Sequence, residues 1–249
     1  ASGTNLDITA VKEAQERIDS LTHAMIRSQE RERERIALDL HDQVAQSLSG
    51  LRLALQRVCD DVRSVKPELS DRVAEMSELV RDMVKDVRNI SYELRPPGLD
   101  ELGLVSTVQQ YFREFPVKNR LAVEFAFQGF EELQLDFDTE INLFRVIQEA
   151  LNNAARHAHA EKVIVQLRAS QSEILLSIKD DGKGFDVRRE LAAAIADKRM
   201  GLWCMEQRIG LLGGRMHVTS SPASGTEIVV EVPLGEVKNG RQERGPNRR

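Results

Sequence analysis

The sequence predicts an α+β protein of more than one domain, a helical hairpin followed by a mixed helix-and-strand unit. Three observations carry this. From Ile36 to Val62, and again from Leu69 to Leu94, apolar residues recur every three or four positions, the period of one helical stripe. From residue 121 the texture changes to short alternating or wholly apolar runs separated by strong helical patterns. The chain has 249 residues, enough for two cores.

The first helical stretch begins near Asp7. Ile8, Val11, Gln15, Ile18, Thr22 and Met25 step by three and four, a coiled-coil seam with polar interruptions. The charged run Gln29–Arg35 reads as a solvated helix laced with local pairs. No proline interrupts the chain before Lys66-Pro67, so the helix is expected to continue to about Arg63, with Ile36, Leu40, Val44, Leu48, Leu51, Leu55, Val58 and Val62 as its buried stripe. The second helix carries Leu69, Val73, Met76, Val80, Met83, Val87, Ile90 and Leu94, with Met76 and Met83 expected in the core. Arg95-Pro96-Pro97-Gly98 stops it. One hairpin cannot bury both stripes, whereas two hairpins make a four-helix bundle, so the pattern predicts a homodimer. A short helix is expected from about Leu102 to Phe115, ended by Pro116. Strands are expected at Leu121–Phe127, Val163–Leu167, Ile174–Ile178, Met216–Thr219 and Ile228–Val232. The helices between them are Thr139–His159, with Asp138 as N-cap and Ile141, Phe144, Ile147 and Leu151 inward, and Leu202–Leu212, closed by Gly213-Gly214. The polar, basic tail from Lys238 is expected to be disordered.

Composition narrows the function. The formal net charge is −5, which gives no global basic field for direct nucleic-acid binding. No stretch is long and apolar enough to cross a bilayer. Cys59 and Cys204 lie in unrelated segments without metal-ligand spacing, and fit free thiols in a reducing compartment.

Four clusters carry candidate chemistry. In the first helix His41 lies one position off the stripe, so its ring reaches solvent. Asp42 is beside it, and Gln46 is one turn from Asp42. A lone surface histidine is usually unremarkable, so this group needs a substrate from elsewhere. On the helix 139–159, Glu149, Asn153 and Arg156 or His157 share a face. A carboxylate, an amide oxygen and a cation suit a Mg²⁺–polyphosphate. After the apolar run 174–178 comes Asp180-Asp181-Gly182-Lys183-Gly184. There a strand-end carboxylate can accept from an exocyclic amine, and glycines let a flat ring approach the backbone. Gly201-Leu202 opens a helix whose free N–H groups and dipole favour phosphate, and Gly225-Thr226 opens a strand. No phosphate-binding Gly-x-x-x-x-Gly-Lys-Ser/Thr run is present.

In this order the clusters resemble the ATP-binding domain of sensor histidine kinases, within the wider gyrase/Hsp90/MutL-like ATPase group. Glu149-x-x-x-Asn153-x-x-Arg156-His157 is similar to its N box, Asp180-x-Gly182-x-Gly184 to its G1 box, and Gly201-Leu202 with Gly225-Thr226 to its G2 region. His41-Asp42-x-x-x-Gln46 resembles the phosphoacceptor motif of the NarX/DesK-like subfamily, and Leu94–Leu104 the segment joining its domains. The resemblance implies a dimeric four-helix bundle carrying His41, followed by an α/β sandwich of the Bergerat type. It divides the chain into a signalling coiled coil (1–33), a dimerisation and phosphotransfer domain (34–97), a connecting helix (98–120), a catalytic ATP-binding domain (121–236) and a disordered tail (237–249).

The same resemblance implies roles. Asp180 would receive the adenine amino group, and Asn153 would ligate Mg²⁺. Glu149 would ligate the metal or organise its water, Arg156 and His157 would lie near the phosphates, and Gly182 and Gly184 would shape the pocket. Gly201 and Leu202 would start the helix facing the phosphates, Thr226 would add a contact near the adenine, and residues 185–200 would form a lid. His41 would take the γ-phosphoryl group of ATP with help from Asp42, and pass it to a response regulator, a DNA-binding protein with a receiver domain. Gln46 would position water for the reverse dephosphorylation. The implied location is cytoplasmic, with any membrane link through a sensor region preceding residue 1. An ATPase switch or nucleotide-binding scaffold without phosphotransfer is the alternative. Three departures stand out: Ala45 in place of a frequent glycine, Arg156 in place of a frequent lysine, and a lid poor in glycine.

Overall fold

In the computed structural model, which describes residues 9–63, 66–96, 98–119, 121–131, 133–187 and 201–234, the chain divides into two compact units, Ala1–Glu101 and Leu102–Arg249. Residues 188–200 of the expected lid, the tail 237–249 and residues 1–8 lie outside the described residues.

The first unit is a helical hairpin. Helix α1 (Thr9–Asp39) runs into a π-helical turn (Leu40–Ala45) and on into α2 (Gln46–Val62). Helix α3 (Pro67–Leu94) returns beside them, with Pro67 in its first turn, where the missing N–H has no helical partner to lose. It ends because Arg95 precedes Pro96. The proline ring disfavours the helical conformation of the residue before it, and Arg95 is extended at φ −147°, ψ 115°.

The expected stripes divide into two rows each. Along α3, Val73 and Val80 are buried, with Val87 and Leu94 half-buried, while Leu69, Met76, Met83 and Ile90 stay exposed. Along the first arm of the hairpin, Leu48, Leu55 and Val62 are half-buried, while Ile36, Val44, Leu51 and Val58 are exposed. Both outer rows step by seven over most of their length. One helix pair covers only the inner row, and the outer row, Met76 and Met83 included, stays open in the single chain. Small side chains, Ala37, Ala45, Cys59 and Ser70, fill the closest approach instead. Cys59 Sγ and Ser70 Oγ meet at 3.3 Å there. Upstream, Ile18, Leu21 and Met25 are exposed and Ile26 is buried. The charged run forms local pairs, Arg35 with Glu32 and with Asp39.

The second unit is a two-layer α/β sandwich. Helix α4 (Gly98–Asn119) is broken at Gly103, whose φ of 76° suits glycine. Its later half starts with the Leu104 N–H donating to Glu140 Oε1 at 3.1 Å. It does not end at Pro116 as expected. Proline removes one hydrogen bond to the preceding turn, and so near the end of a helix the remaining bonds carry the last turn to Asn119. Tyr111 packs edge-on to Phe144, and Phe112 to Phe125, so this helix joins the second core.

Strand β1 (Ala122–Gln128), helix α5 (Phe137–Asn153) with a π-helical turn (Ala154–Ala158), strands β2 (Lys162–Ala169) and β3 (Glu173–Asp180), helix α6 (Gly201–Leu211), β4 (Arg215–Ser220) and β5 (Thr226–Pro233) complete the unit. The sheet order is β1-β2-β3-β5-β4, with β1 and β2 parallel and the other neighbours antiparallel. Val163, Val165, Leu167, Ile174, Leu176, Ile178, Ile228, Val230 and Val232 bury one face by strict alternation. Ile141, Phe144, Ile147 and Leu151 of α5 are buried as expected. The N-cap of α5 is Asp136, not Asp138. Asp136 is extended and accepts the Thr139 N–H at 2.9 Å, while Asp138 lies in the first turn, where its charge suits the helix dipole.

Candidate nucleotide site and phosphoacceptor helix

Helix α5 presents Glu149 and Asn153 from its last turn. The start of α6 closes on them: a Cβ added to Gly201 would collide with Glu149 Oε1 and lie 3.6 Å from Asn153 Nδ2. The group met is the flexible end of Glu149, so the start of α6 lies directly against these two polar side chains, and Leu202 follows, half-buried. A buried polar network ties the same two helices two turns away. Arg208 of α6 donates to Asn142 Oδ1 at 3.3 Å, and Asn142 donates to the Asp138 carbonyl at 2.8 Å. Asn142 and Arg208 were not legible as site-supporting residues, because polar residues at helical positions read as solvent-facing until the opposite layer is known. Cys204, one turn into α6, has its thiol pushed up by burial. The nearby Glu149 charge acts in the same direction and Arg208 opposes it.

The second wall is the end of the sheet. Asp180 closes β3 and pairs in register with Thr226, which opens β5. Gly182 N–H donates to Asp180 Oδ1 at 2.9 Å. Burial pushes the Asp180 carboxyl above its ordinary value. Hydrogen bonds from Gly182 and from Thr226 oppose that rise, and the Asp181 charge adds to it. A side chain on Gly182 would meet the Ala158 carbonyl oxygen at 2.5 Å and Cβ at 2.6 Å. Gly184 has φ +59° and Gly225 φ +69°, and a Cβ on either would run into backbone, that of Ser221 and Gly225 for the first and of Asp180 for the second. Lys183 N–H donates to the Ala158 carbonyl at 2.8 Å, so the π turn ending α5 joins the two walls. Ser220 links the loops: it accepts from Phe185 N–H at 2.9 Å and donates to the Gly225 carbonyl at 2.8 Å. Asp181 is structural, accepting the N–H groups of Glu161 and Lys162 at 2.9 and 3.0 Å.

Glu149, Asn153 and Gly201 thus come together, as do Asp180, Gly182, Gly184 and Thr226. Arg156 and His157 do not extend the α-helical face of Glu149 and Asn153. They sit in the π turn 154–158, whose extra residue changes the direction of side chains, and both are exposed.

In the helical unit, His41 and Asp42 lie in the π turn, and Gln46 is the first residue of α2. All three are exposed. Ala45 is buried, so its small size serves close packing against α3 rather than an open face. At the far end of α3, Arg95 pairs with Glu34 and, at 2.8 Å, with Asp100. Among the described residues no group of three His, Cys, Asp or Glu side chains could hold a metal, and no helix is long and apolar enough to cross a membrane.

Comparison with known proteins divides the chain in the same sense. A family described as histidine kinase matches residues 32–99, and one described as histidine kinase-, DNA gyrase B- and HSP90-like ATPase matches residues 138–236. This chain belongs to the histidine kinases. It is of the NarX-like subfamily and carries an ATP-binding domain. The histidine-protein kinase/phosphatase DegS of Brevibacillus brevis is 31% identical over 213 residues, covering 84% of this chain and 53% of that protein. The oxygen sensor histidine kinase NreB of Staphylococcus carnosus is 32% identical, covering 84% of this chain and 58% of that one. The sensor histidine kinase LiaS of Bacillus subtilis is 32% identical, covering 86% and 57%. The chain therefore spans little more than half the length of these relatives.

Proposed function

We propose that the chain is the catalytic portion of a two-component sensor kinase, which phosphorylates its own His41 from Mg²⁺-ATP and passes the phosphoryl group to an aspartate of a response regulator. The observation that carries this is the meeting of Glu149, Asn153 and Gly201 at the end of a helix whose closing turn, at Ala158, bonds to the loop after the strand-end carboxylate Asp180, in a chain that also exposes a histidine flanked by an acid. The domain division 1–33, 34–97, 98–120, 121–236 and 237–249 belongs to this proposal.

Asp180 accepts the adenine amino group at the floor of the pocket, with Thr226 beside it. Gly182 and Gly184 give the base access to backbone. Glu149 and Asn153 supply the hard oxygen atoms that a magnesium ion takes alongside phosphate oxygens and water. The donor set fits such an ion better than a metal held wholly by protein. Mg²⁺, when bound there, neutralises charge on the phosphates. The N–H groups that open α6 at Gly201-Leu202 face the same anions, and Arg156 adds positive charge at the rim, with His157 beside it. A neutral His41 ring nitrogen forms the N–P bond as the bond from the γ-phosphorus to the bridging oxygen breaks and ADP leaves. Asp42 orients the ring and takes its proton. Gln46 positions water for hydrolysis of the phosphorylated regulator, a reading supported by the kinase/phosphatase name of one relative.

The outer apolar rows of the hairpin, Val44, Leu51 and Val58 with Leu69, Met76, Met83 and Ile90, support a homodimer in which two hairpins form the four-helix bundle. The regulator is a receiver-domain protein that binds DNA, and the chain itself binds none. The proposed setting is the cytoplasm, with any membrane attachment through a preceding sensor. The test is incubation with γ-labelled ATP and Mg²⁺. Acid-labile, base-stable label that disappears in His41→Gln is expected; ATP hydrolysis without any such label would favour an ATPase switch instead.

A further inference from the structure

Two serine hydroxyls bond to backbone carbonyls at the end of the π turn that carries His41 and in the helix just before it. At one end Ser49 donates to the Ala45 carbonyl at 2.7 Å, the local back-bond to the residue four earlier that serines in helices commonly make. Thr107 makes the same bond to Gly103. Ser91, in the last turn of α3, does something different. It reaches across the helix pair and donates to the Ala37 carbonyl at 2.7 Å, and both residues are buried, at 7% and 5% exposed. In an uninterrupted α-helix that carbonyl would accept the N–H of His41. A second donor draws the oxygen toward α3 and weakens the bond along the helix. That is the circumstance in which a helix takes an extra residue into one turn, and the π turn begins three residues later, at Leu40.

We infer that Ser91 is a positioning residue for the phosphoacceptor: its hydroxyl, by holding the Ala37 carbonyl, maintains the π turn and so sets the direction of His41 and Asp42 relative to Gln46. Without the extra residue, the helix before the turn would rotate by about 100° relative to α2, one residue's share of an α-helical turn. The inference rests on His41 being the phosphoacceptor.

The test uses the whole chain with γ-labelled ATP and Mg²⁺, and measures the maximal rate of His41 labelling and the KM for ATP in Ser91→Ala, Ser91→Thr and Ser91→Val. Loss of one buried hydroxyl bond predicts a maximal rate about ten-fold lower in Ser91→Ala. KM for ATP is unchanged, because the nucleotide residues lie in the other unit. Thr and Val have the same shape and differ in the hydroxyl, so Ser91→Thr should label about ten-fold faster than Ser91→Val even where the added methyl lowers stability in both. Amide exchange in the Ala and Val variants should quicken at residues 40–45. Equal maximal rates in the wild type and Ser91→Ala, or in the Thr and Val pair, overturn the inference while leaving His41 as acceptor. Label that persists in His41→Gln overturns the acceptor reading, and this inference with it.

Discussion

The exposed heptad rows make a quantitative prediction for Met83→Asp. Met83 is 51% exposed in the single chain and lies in the row Leu69, Met76, Met83, Ile90. Full burial of such a side chain contributes about 1.5–3 kcal/mol, so covering its remaining half on dimerisation is worth about 1 kcal/mol. An aspartate there loses that contribution and places a carboxylate among apolar neighbours, at a further cost of about 2 kcal/mol or more. A two-fold symmetric interface contains the substitution twice, which brings the loss to about 6 kcal/mol. That corresponds to a dimer dissociation constant raised about 10⁴-fold. Sedimentation equilibrium over nanomolar to micromolar protein measures it, with Met83→Leu as a volume-conserving control that should stay dimeric. A Met83→Asp chain that dimerises as tightly as the wild type, or a wild type that is monomeric throughout, refutes the reasoning.

Other residues give separate outcomes. Asp180→Asn should abolish ATP binding in calorimetry yet raise the melting temperature at neutral pH. Burial raises the wild-type carboxyl, so its ionised form disfavours the folded state, and the wild type should gain stability as pH falls through that raised value. ATP affinity of the wild type should weaken over the same fall in pH, as the carboxylate becomes protonated. Gly201→Ala should weaken nucleotide binding several-fold with little change in circular dichroism, because the added methyl displaces the flexible end of Glu149 rather than the core. Gln46→Ala should keep the rate of His41 labelling and slow dephosphorylation of the regulator, measured by loss of label from its receiver domain.

The legible parts were those that repeat. Every strand among the described residues was readable, because alternate residues such as Val163, Val165 and Leu167 face one buried side. The residues proposed to hold the nucleotide were singled out by motif order, although Glu149 and Gly201 come together only because α6 folds back on α5, which spacing along the chain does not reveal. A step of three or four residues tolerates one extra residue without visible change, so neither π turn was foreseen. That concealed the Ser91 contact to Ala37 and the departure of Arg156 and His157 from the face of Asn153. Likewise, two rows of a helical stripe look alike in sequence. Only the pairing of α2 with α3 separates Val73 and Val80, which are covered, from Met76 and Met83, which are not. Asp136 and Asp138 are both suitable caps by type, and the backbone conformation at Asp136 decides between them.

The central claim is that the chain transfers the γ-phosphoryl group of ATP to its own histidine. Mapping the phosphorylated residue by mass spectrometry, at neutral pH after incubation with Mg²⁺-ATP, tests it most directly. A phosphoryl group on the peptide containing His41, absent from Asp180→Asn, is the predicted result. Phosphorylation at another residue, or none while ATP is consumed, would contradict it.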